Sequence, residues 1–464
     1  MNSYNKAFVF FICIVSAMGG LLFGYDWVVI GGAKPFYEQF FGISGEAAAQ
    51  GWAMSSAILG CLIGACTAGM MADRYGRKPL LVFAAAVFLI SAIGTGAFND
   101  FNMFIVARFV GGIAIGVASA LSPMYIAEVA PAQVRGKLVT LNQMTIVLGI
   151  LAAQIVNMMI AEPVEGSVPA MDSWNVQMGW RWMFWAEGAP AIVFMALTFF
   201  IPESPRWLTM VGRMERAEMV FFRIGGHKYA SESVAAVRQA EVSKEKSSLK
   251  SLFKRRYALV LTLGIVVAVF QQWSGTNVIF NYAQEIFKAA GYEVGDLFFQ
   301  IVVTGIVNVV FTVVAIFTVD RLGRRKLMLI GACGLGIIYL ILGVCYFVGA
   351  SGIVMVICVL AAIACYAMTL GPIAWVLLAE LFPNKVRALA MGVCTFALWM
   401  GCFTLTYSFP LLNEALGSYG TFWVYSGICF AALIYLWRYL PETKGKSLEQ
   451  LERELVKEQK VVKK

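Results

Sequence analysis

Asp73-Arg74-Tyr75-Gly76-Arg77-Lys78 recurs 247 positions on as Asp320-Arg321-Leu322-Gly323-Arg324-Arg325-Lys326. Two further pairs follow in the same order. Ala127-Glu128-x-x-Pro131-x-x-Val134-Arg135 returns as Ala379-Glu380-x-x-Pro383-x-x-Val386-Arg387, and Pro202-Glu203-Ser204 returns as Pro441-Glu442-Thr443, at offsets of 252 and 239. Three polar motifs in one order at nearly one offset mark an internal duplication. Both copies of each motif sit at the same end of corresponding apolar runs. The halves are therefore parallel repeats, related by an axis along the membrane normal.

Those apolar runs set the class. Of 464 residues, 60% are hydrophobic and 14% charged, against roughly 25% charged in soluble domains. Neither a water-soluble globule nor a disordered chain has this composition, and the 44 glycines supply the small residues that membrane helices use where they touch. At roughly 20 apolar residues per crossing, the runs resolve into twelve spans. The first six are 6–32, 48–72, 79–98, 101–126, 137–161 and 182–201; the second six are 257–289, 296–319, 327–349, 353–379, 387–412 and 420–440. The expected fold is an all-α membrane protein of twelve transmembrane helices in two six-helix bundles, with cytoplasmic helices between the halves. Its parts are a bundle over 1–202, a linker over 203–256, a bundle over 257–441 and a tail over 442–464.

Positive charge sets the orientation. Twelve spans put both termini on one side, and together with the even-to-odd loops that side carries 32 of the 36 Lys and Arg residues. The other side has only Lys34, Arg181 and Lys288, while Arg108 lies within a span. The positive-inside rule makes the charged side cytoplasmic, both termini included. The net charge of +9 thus reflects topology and calls for no nucleic-acid partner. With no clear small-residue cleavage site, the first run reads as a retained span and not a signal peptide. All ten cysteines fall inside apolar runs at no metal-ligand spacing, as packing residues do. The charged segment 203–256 has amphipathic stretches around 214–222 and 234–242 and reads either as surface helices or as a solvated linker.

Two parallel bundles that rock about a midplane site give alternating access, with end charges that pair in one state and part in the other. Asp73, Arg74, Glu128 and Arg135 from the first half are assigned to such a cytoplasmic gate, with Asp320, Arg321, Glu380 and Arg387 from the second. Anchoring of helix ends among lipid headgroups is the plainer alternative. Within the bilayer, an ionised side chain costs at least roughly 2.5–3.5 kcal/mol, which makes each one a functional candidate. Asp26, in Phe23-Gly24-Tyr25-Asp26, and Arg108 of the fourth span stand out. If rocking changes their separation, the carboxylate takes a proton in one state and releases it in the other. The only histidine, His227, lies in the charged segment, so carboxylates must carry any proton, and Glu187 of the sixth span is a second relay candidate. A static pair that fixes helix register is the competing reading.

A second polar group marks a cavity. Gln271, Gln272, Asn277 and Asn281 crowd the seventh span, and amides without partners are costly in lipid. At 100° per residue they cover about 220° of arc, too wide for one face of a straight helix. Ser274-Gly275-Thr276 in their midst predicts a break that turns the amides inward together. Gln143 and Gln154 share a face of the fifth span, and Asn308 lies in the eighth. Trp375, beside the Gly371-Pro372 kink, and Trp399 offer aromatic surface.

At these motifs the chain resembles the major facilitator superfamily and, within it, the sugar porter family. The paired Asp-Arg-x-Gly-Arg motif is common across the superfamily. More specific to sugar porters are Pro202-Glu203-Ser204-Pro205-Arg206-Trp207-Leu208, Pro441-Glu442-Thr443-Lys444-Gly445 and Gln271-Gln272-x-Ser274-Gly275-x-Asn277, with Arg135-Gly136-x-Leu138 and Gly371-Pro372-x-x-Trp375 in agreement. The likeness spans essentially the whole chain and is strongest to bacterial proton-coupled monosaccharide symporters of the D-xylose type. It implies uptake of an aldose, whose hydroxyls suit side-chain amides and whose apolar face suits aromatic rings. By this resemblance Gln143, Gln271, Gln272, Asn277, Asn308 and Trp375 match sugar-contacting positions, with Trp399 close behind and Phe23 assigned alongside. Asp26 and Arg108 match the proton-accepting aspartate and its arginine.

Ile150 and Leu398 depart from the pattern, standing where the xylose-type relatives carry Gln; with Phe280, they leave D-xylose, D-glucose and D-galactose as candidate sugars. The expectation is a monomeric proton–sugar symporter of the cytoplasmic (inner) membrane. The proton is its coupling ion, the lipid bilayer its surroundings, and it needs no cofactor, metal or nucleic acid. A facilitative uniporter and sodium coupling are the near alternatives, and a transporter-like sugar sensor is the reading from another class. An enzyme finds no support, since no Ser or Cys is paired with a histidine and no metal-ligand cluster is present.

Overall fold

Backbone groups inside a bilayer must find their partners within the chain, which a helix does segment by segment. In the computed structural model the described residues are 4–131, 133–163, 171–242, 252, 255–289, 291, 294–350, 352–382 and 386–444, and no strand occurs among them. Five long helices come first: α1 (Lys6–Phe41), α2 (Ala47–Tyr75), α3 (Arg77–Ala97), α4 (Phe101–Val129) and α5 (Arg135–Ile160). Helix α1 continues through Pro35, past the predicted end at 32, because Phe36 and Tyr37 are fully buried and packing holds the added turns.

The sixth span is built from pieces: a π-helical turn (Asn175–Gly179), α6 (Trp180–Ala186) and α7 (Gly188–Thr198), parted at Glu187. Two more helices follow, α8 (Pro205–Met210) and α9 (Met214–Val242). Ser204 caps α8 by accepting from Trp207 N at 3.2 Å, and Pro205 sits in the first turn, where its missing N–H is harmless. Of the two readings of 203–256, the helical one therefore holds over 205–242, with a bend at Gly226. Most of 243–254 lies outside the described residues.

In the second half the seventh span is α10 (Arg255–Trp273), α11 (Thr276–Asn281) and α12 (Ala283–Ala289). Next come α13 (Val294–Leu322) and α14 (Arg324–Phe347), then α15 (Ile353–Met368) and α16 (Leu370–Leu381), parted at Thr369. Helix α17 (Arg387–Tyr439) contains two spans that turn at Gly417 (φ 68°), inside the predicted loop. Among the described residues ten helices are long and apolar enough to cross a membrane. Because α17 holds two spans and the sixth span is assembled from short helices, the total is twelve.

By packing, the chain forms two compact units. One is Met1–Val29, Ser56–Val156 and Arg181–Lys246; the other is Ile30–Ser55, Asn157–Trp180 and Ser247–Lys464. Inside the first, Gly112 and Gly116 of α4 lie against the Ala57 and Cys61 carbonyls of α2, a closeness that any side chain would prevent. Inside the second, Tyr339 of α14 packs on Phe422 and Tyr425 of α17, and Phe36 from the end of α1 stacks on Phe298 of α13 at 6.3 Å.

Candidate functional site

In the first unit Asp26 of α1 and Arg108 of α4 form an ion pair, 4% and 3% exposed. Both guanidinium ends donate, Nη1 to Oδ1 and Nη2 to Oδ2 at 3.3 Å, a two-pronged match that fixes orientation as well as charge. The guanidinium also lies 5.4 Å from the centre of the Phe184 ring of α6. Gly24, two residues before Asp26, lets α1 press on the Ile146 backbone of α5.

Glu187 sits in the break between α6 and α7, is 1% exposed, and interacts electrostatically with both Asp26 and Arg108. Its Oε1 accepts from no donor among the described residues. Two carboxyls and one guanidinium out of water leave one negative charge uncompensated, and a single proton neutralises it. The three proton-coupling candidates are thus one cluster whose charge balances with a proton bound. Elsewhere in this unit Phe23 meets Trp27 edge-on at 5.6 Å, Gln143 is half-buried and Gln154 is fully buried.

In the second unit the seventh span breaks where Ser274-Gly275-Thr276 predicts. Gly275, at φ 84°, closes α10 and opens α11; this left-handed backbone disfavours a side chain. The break joins three of the four amides. Asn277 Nδ2 donates to Gln272 Oε1, Gln272 Nε2 donates to Gln271 Oε1 at 2.5 Å, and Gln271 Nε2 donates to the Tyr366 hydroxyl of α15 at 2.7 Å. Asn281 stays outside this relay, buried, and its Oδ1 meets no partner among the described residues. Asn308 of α13 and Trp399 of α17 are buried, whereas Trp375 of α16 is 39% exposed. Tyr366 was not a sequence candidate, since a lone tyrosine in an apolar run reads as packing.

The duplicated motifs build a similar cage twice. Arg77 donates to Glu128 Oε1 at 2.9 Å, to Asp73 Oδ1 at 3.2 Å and to the Ala72 carbonyl at 2.9 Å. Ser204 Oγ donates to Glu128 Oε2 at 2.5 Å. Glu203 accepts from the backbone N–H groups of Arg77, Lys78 and Ser204. Burial pushes its carboxyl above the usual range, while those donors and the Arg77 charge act against that. In the repeat, Arg324 donates to Glu380 at 3.2 Å, and Glu442 accepts from the N–H groups of Arg324, Arg325 and Thr443.

Gly76 and Gly323 turn the chain at φ 96° and 88°, and a β-carbon at either would strike the Glu203 or Glu442 carboxylate. Of the predicted gate residues, Glu128, Asp73 and Glu380 are therefore in cages centred on Arg77 and Arg324, which the sequence quoted but did not assign. Arg74 is exposed over Tyr75, Arg135 donates to the Ala130 carbonyl at 3.4 Å, and the Arg321 carbonyl accepts from Lys444 at 2.7 Å. The side chains of Asp320 and Arg387 lie outside the described residues.

One charged group in the second unit was missed entirely. Lys34, 3% exposed near the end of α1, pairs with Glu38 at 2.9 Å and with Glu285 of α12, and Gln50 donates to Glu38 at 3.4 Å. From sequence Lys34 counted only as one positive charge on the sparse side. Among the described residues no His, Cys, Asp and Glu group could hold a metal ion.

Known proteins resemble the chain along nearly its whole length. The family model described as sugar (and other) transporter matches residues 12–455. The D-xylose-proton symporter of Escherichia coli (strain K12) is 37% identical, covering 97% of each chain. The arabinose-proton symporter of Bacillus subtilis (strain 168) is 36% identical over 98% of this chain and 97% of that one. Among solved structures, the xylose transporter XylE from E. coli in a partially occluded inward-open conformation superposes with a TM-score of 0.84 at 35% identity, covering 95% of this chain and all of that one. Its sugar-bound form, with 6-bromo-6-deoxy-D-glucose, gives 0.78 over 97% of this chain. Matched by the family model over nearly its whole length, and more than a third identical to several of the relatives, the chain belongs to the family of sugar (and other) transporters.

Proposed function

We propose that this chain is a proton-coupled monosaccharide symporter that imports an aldose by alternating access, D-xylose or a hexose such as D-glucose or D-galactose. The observation that carries the reading is the Asp26–Arg108–Glu187 cluster, a buried group that is one proton short of neutral. A passive carrier needs no such group, and maintaining it in a membrane is costly. The amides Gln143, Gln271, Gln272, Asn277 and Asn308, with Phe23, Trp375 and Trp399, are the proposed sugar contacts. The repeats 1–202 and 257–441, joined by 203–256 and followed by the tail 442–464, are the proposed moving halves. The caged charges around Arg77 and Arg324, with Arg74, Arg135, Arg321, Asp320 and Arg387, are their proposed cytoplasmic gate. The protein is placed in the inner membrane as a monomer with both termini in the cytoplasm, with the proton as coupling ion and no cofactor.

The test uses purified protein in proteoliposomes with a pH-sensitive dye outside. Adding D-xylose or D-glucose is expected to make the outer medium more alkaline as proton and sugar enter together. Sugar entry with no change in outside pH, or with a change that depends on sodium, overturns the proton-coupled reading.

A further inference from the structure

The relay in the second unit has a direction, and the direction ends on a residue with a spare proton. Each amide offers two N–H donors and one carbonyl, and a phenol offers one donor and accepts in return. Reading the bonds in order, Asn277 gives to Gln272, Gln272 to Gln271, and Gln271 to the Tyr366 oxygen. Every link runs the same way. Bonds aligned head to tail polarise one another, so the two ends become unlike. At one end the Tyr366 oxygen is already an acceptor, and nothing among the described residues accepts its O–H. At the other end Asn277 Oδ1 receives no donor among them. Flipping any one amide alone would set N–H against N–H or carbonyl against carbonyl, so the two amide-to-amide links hold the three in one common direction.

We infer that Tyr366 is a specificity-determining residue of the sugar site: its O–H is the donor end of a polarised amide relay and recognises one sugar hydroxyl as an acceptor, while Asn277 Oδ1 recognises another as a donor. The inference rests on the sugar-transport reading above and deepens it. Chemically, the two hydroxyls should respond differently to replacement. Fluorine retains weak acceptor character and cannot donate; hydrogen does neither.

The experiment measures inhibition of labelled sugar uptake into proteoliposomes by every monodeoxy and monofluoro derivative of the transported sugar. It compares wild type with Tyr366→Phe, a change that removes one oxygen atom. In wild type, one ring position is expected to tolerate fluorine within a few-fold while its deoxy derivative weakens by about tenfold or more, the usual scale for leaving a buried polar group unpaired. In Tyr366→Phe that deoxy-to-fluoro ratio should fall toward one, with ratios at other positions unchanged. A second variant, Gln271→Glu, keeps one acceptor for Gln272 but has no N–H for Tyr366, and should also erase the ratio. If Tyr366→Phe weakens all derivatives alike and leaves the ratio in place, Tyr366 only packs and the inference fails. If no ring position separates fluorine from hydrogen in wild type, the relay has no donor end and the inference fails. If no monosaccharide is taken up or inhibits, the transport reading falls first, and that result is separable because no ratio can then be measured.

Discussion

Asp26 illustrates what one residue contributes when its surroundings exclude water. Its carboxylate is held by both ends of the Arg108 guanidinium, and Glu187 stands beside it with no donor on Oε1 among the described residues. Asp26→Asn keeps the size and some hydrogen bonding but removes a charge, so Arg108 and Glu187 then balance without any proton. Uphill accumulation of sugar should therefore be lost while sugar-for-sugar exchange continues, as read by accumulation under an imposed pH gradient beside counterflow in the same vesicles. Unchanged accumulation would remove Asp26 from the coupling mechanism. These residues were legible in the sequence because a charge inside an apolar run is conspicuous. Tyr366 and Lys34 were not. A hydroxyl in an apolar helix carries no mark of what its oxygen meets, and the partners of Lys34, Glu38 and Glu285, lie 4 and 251 positions away.

Elements bend where the site needs backbone, and the breaks fall into two kinds. The seventh span breaks at a glycine that the sequence announces and the tenth at Thr369, two residues before the Gly371-Pro372 pair already read as a kink; the sixth breaks at Glu187, which the sequence marked only as a charge. Apolar runs located the spans well, because satisfying the backbone in lipid leaves few alternatives. They placed the end of α1 too early, since the burial of Phe36 and Tyr37 is a tertiary effect that local composition does not contain. Gly275→Ala tests the announced break. It forces a left-handed residue to carry a β-carbon, at a cost of about 1–2 kcal/mol, and sets that carbon 3.1 Å from the Tyr425 ring. Thermal unfolding in detergent should shift downward, and sugar affinity should weaken with it, because the relay spans the break. Gly427→Ala, on open helix surface where nothing lies within 4 Å, should leave both unchanged or slightly raise stability. Equal effects from the two substitutions would mean that the break has no special role.

Across the whole molecule the duplication repeats its main contacts at unequal depth, and the Ser204 bond to Glu128 has no counterpart among the described residues, where Thr443 Oγ1 and Glu380 Oε2 meet no partner. Both cages place an arginine between a helix-end glutamate and a second glutamate that collects backbone N–H groups. In the first, the side chains of Arg77 and Glu128 are 5% and 8% exposed; in the second, those of Arg324 and Glu380 are 14% and 27% exposed. Water screens a partly exposed pair and re-solvates whichever partner remains, so its loss is worth about 1 kcal/mol or less. A buried pair broken from one side leaves a charge that water cannot reach, at a cost of about 3–5 kcal/mol. Arg77→Ala should therefore lower the unfolding temperature of the purified protein clearly, with Glu128 left holding only the Ser204 hydroxyl. Arg324→Ala should lower it by much less, although the two motifs are nearly identical in sequence. Denaturant or thermal unfolding of both variants, side by side in one detergent, decides the matter. Equal losses would show that the motif itself, and not the burial each copy receives, sets the strength of the cage.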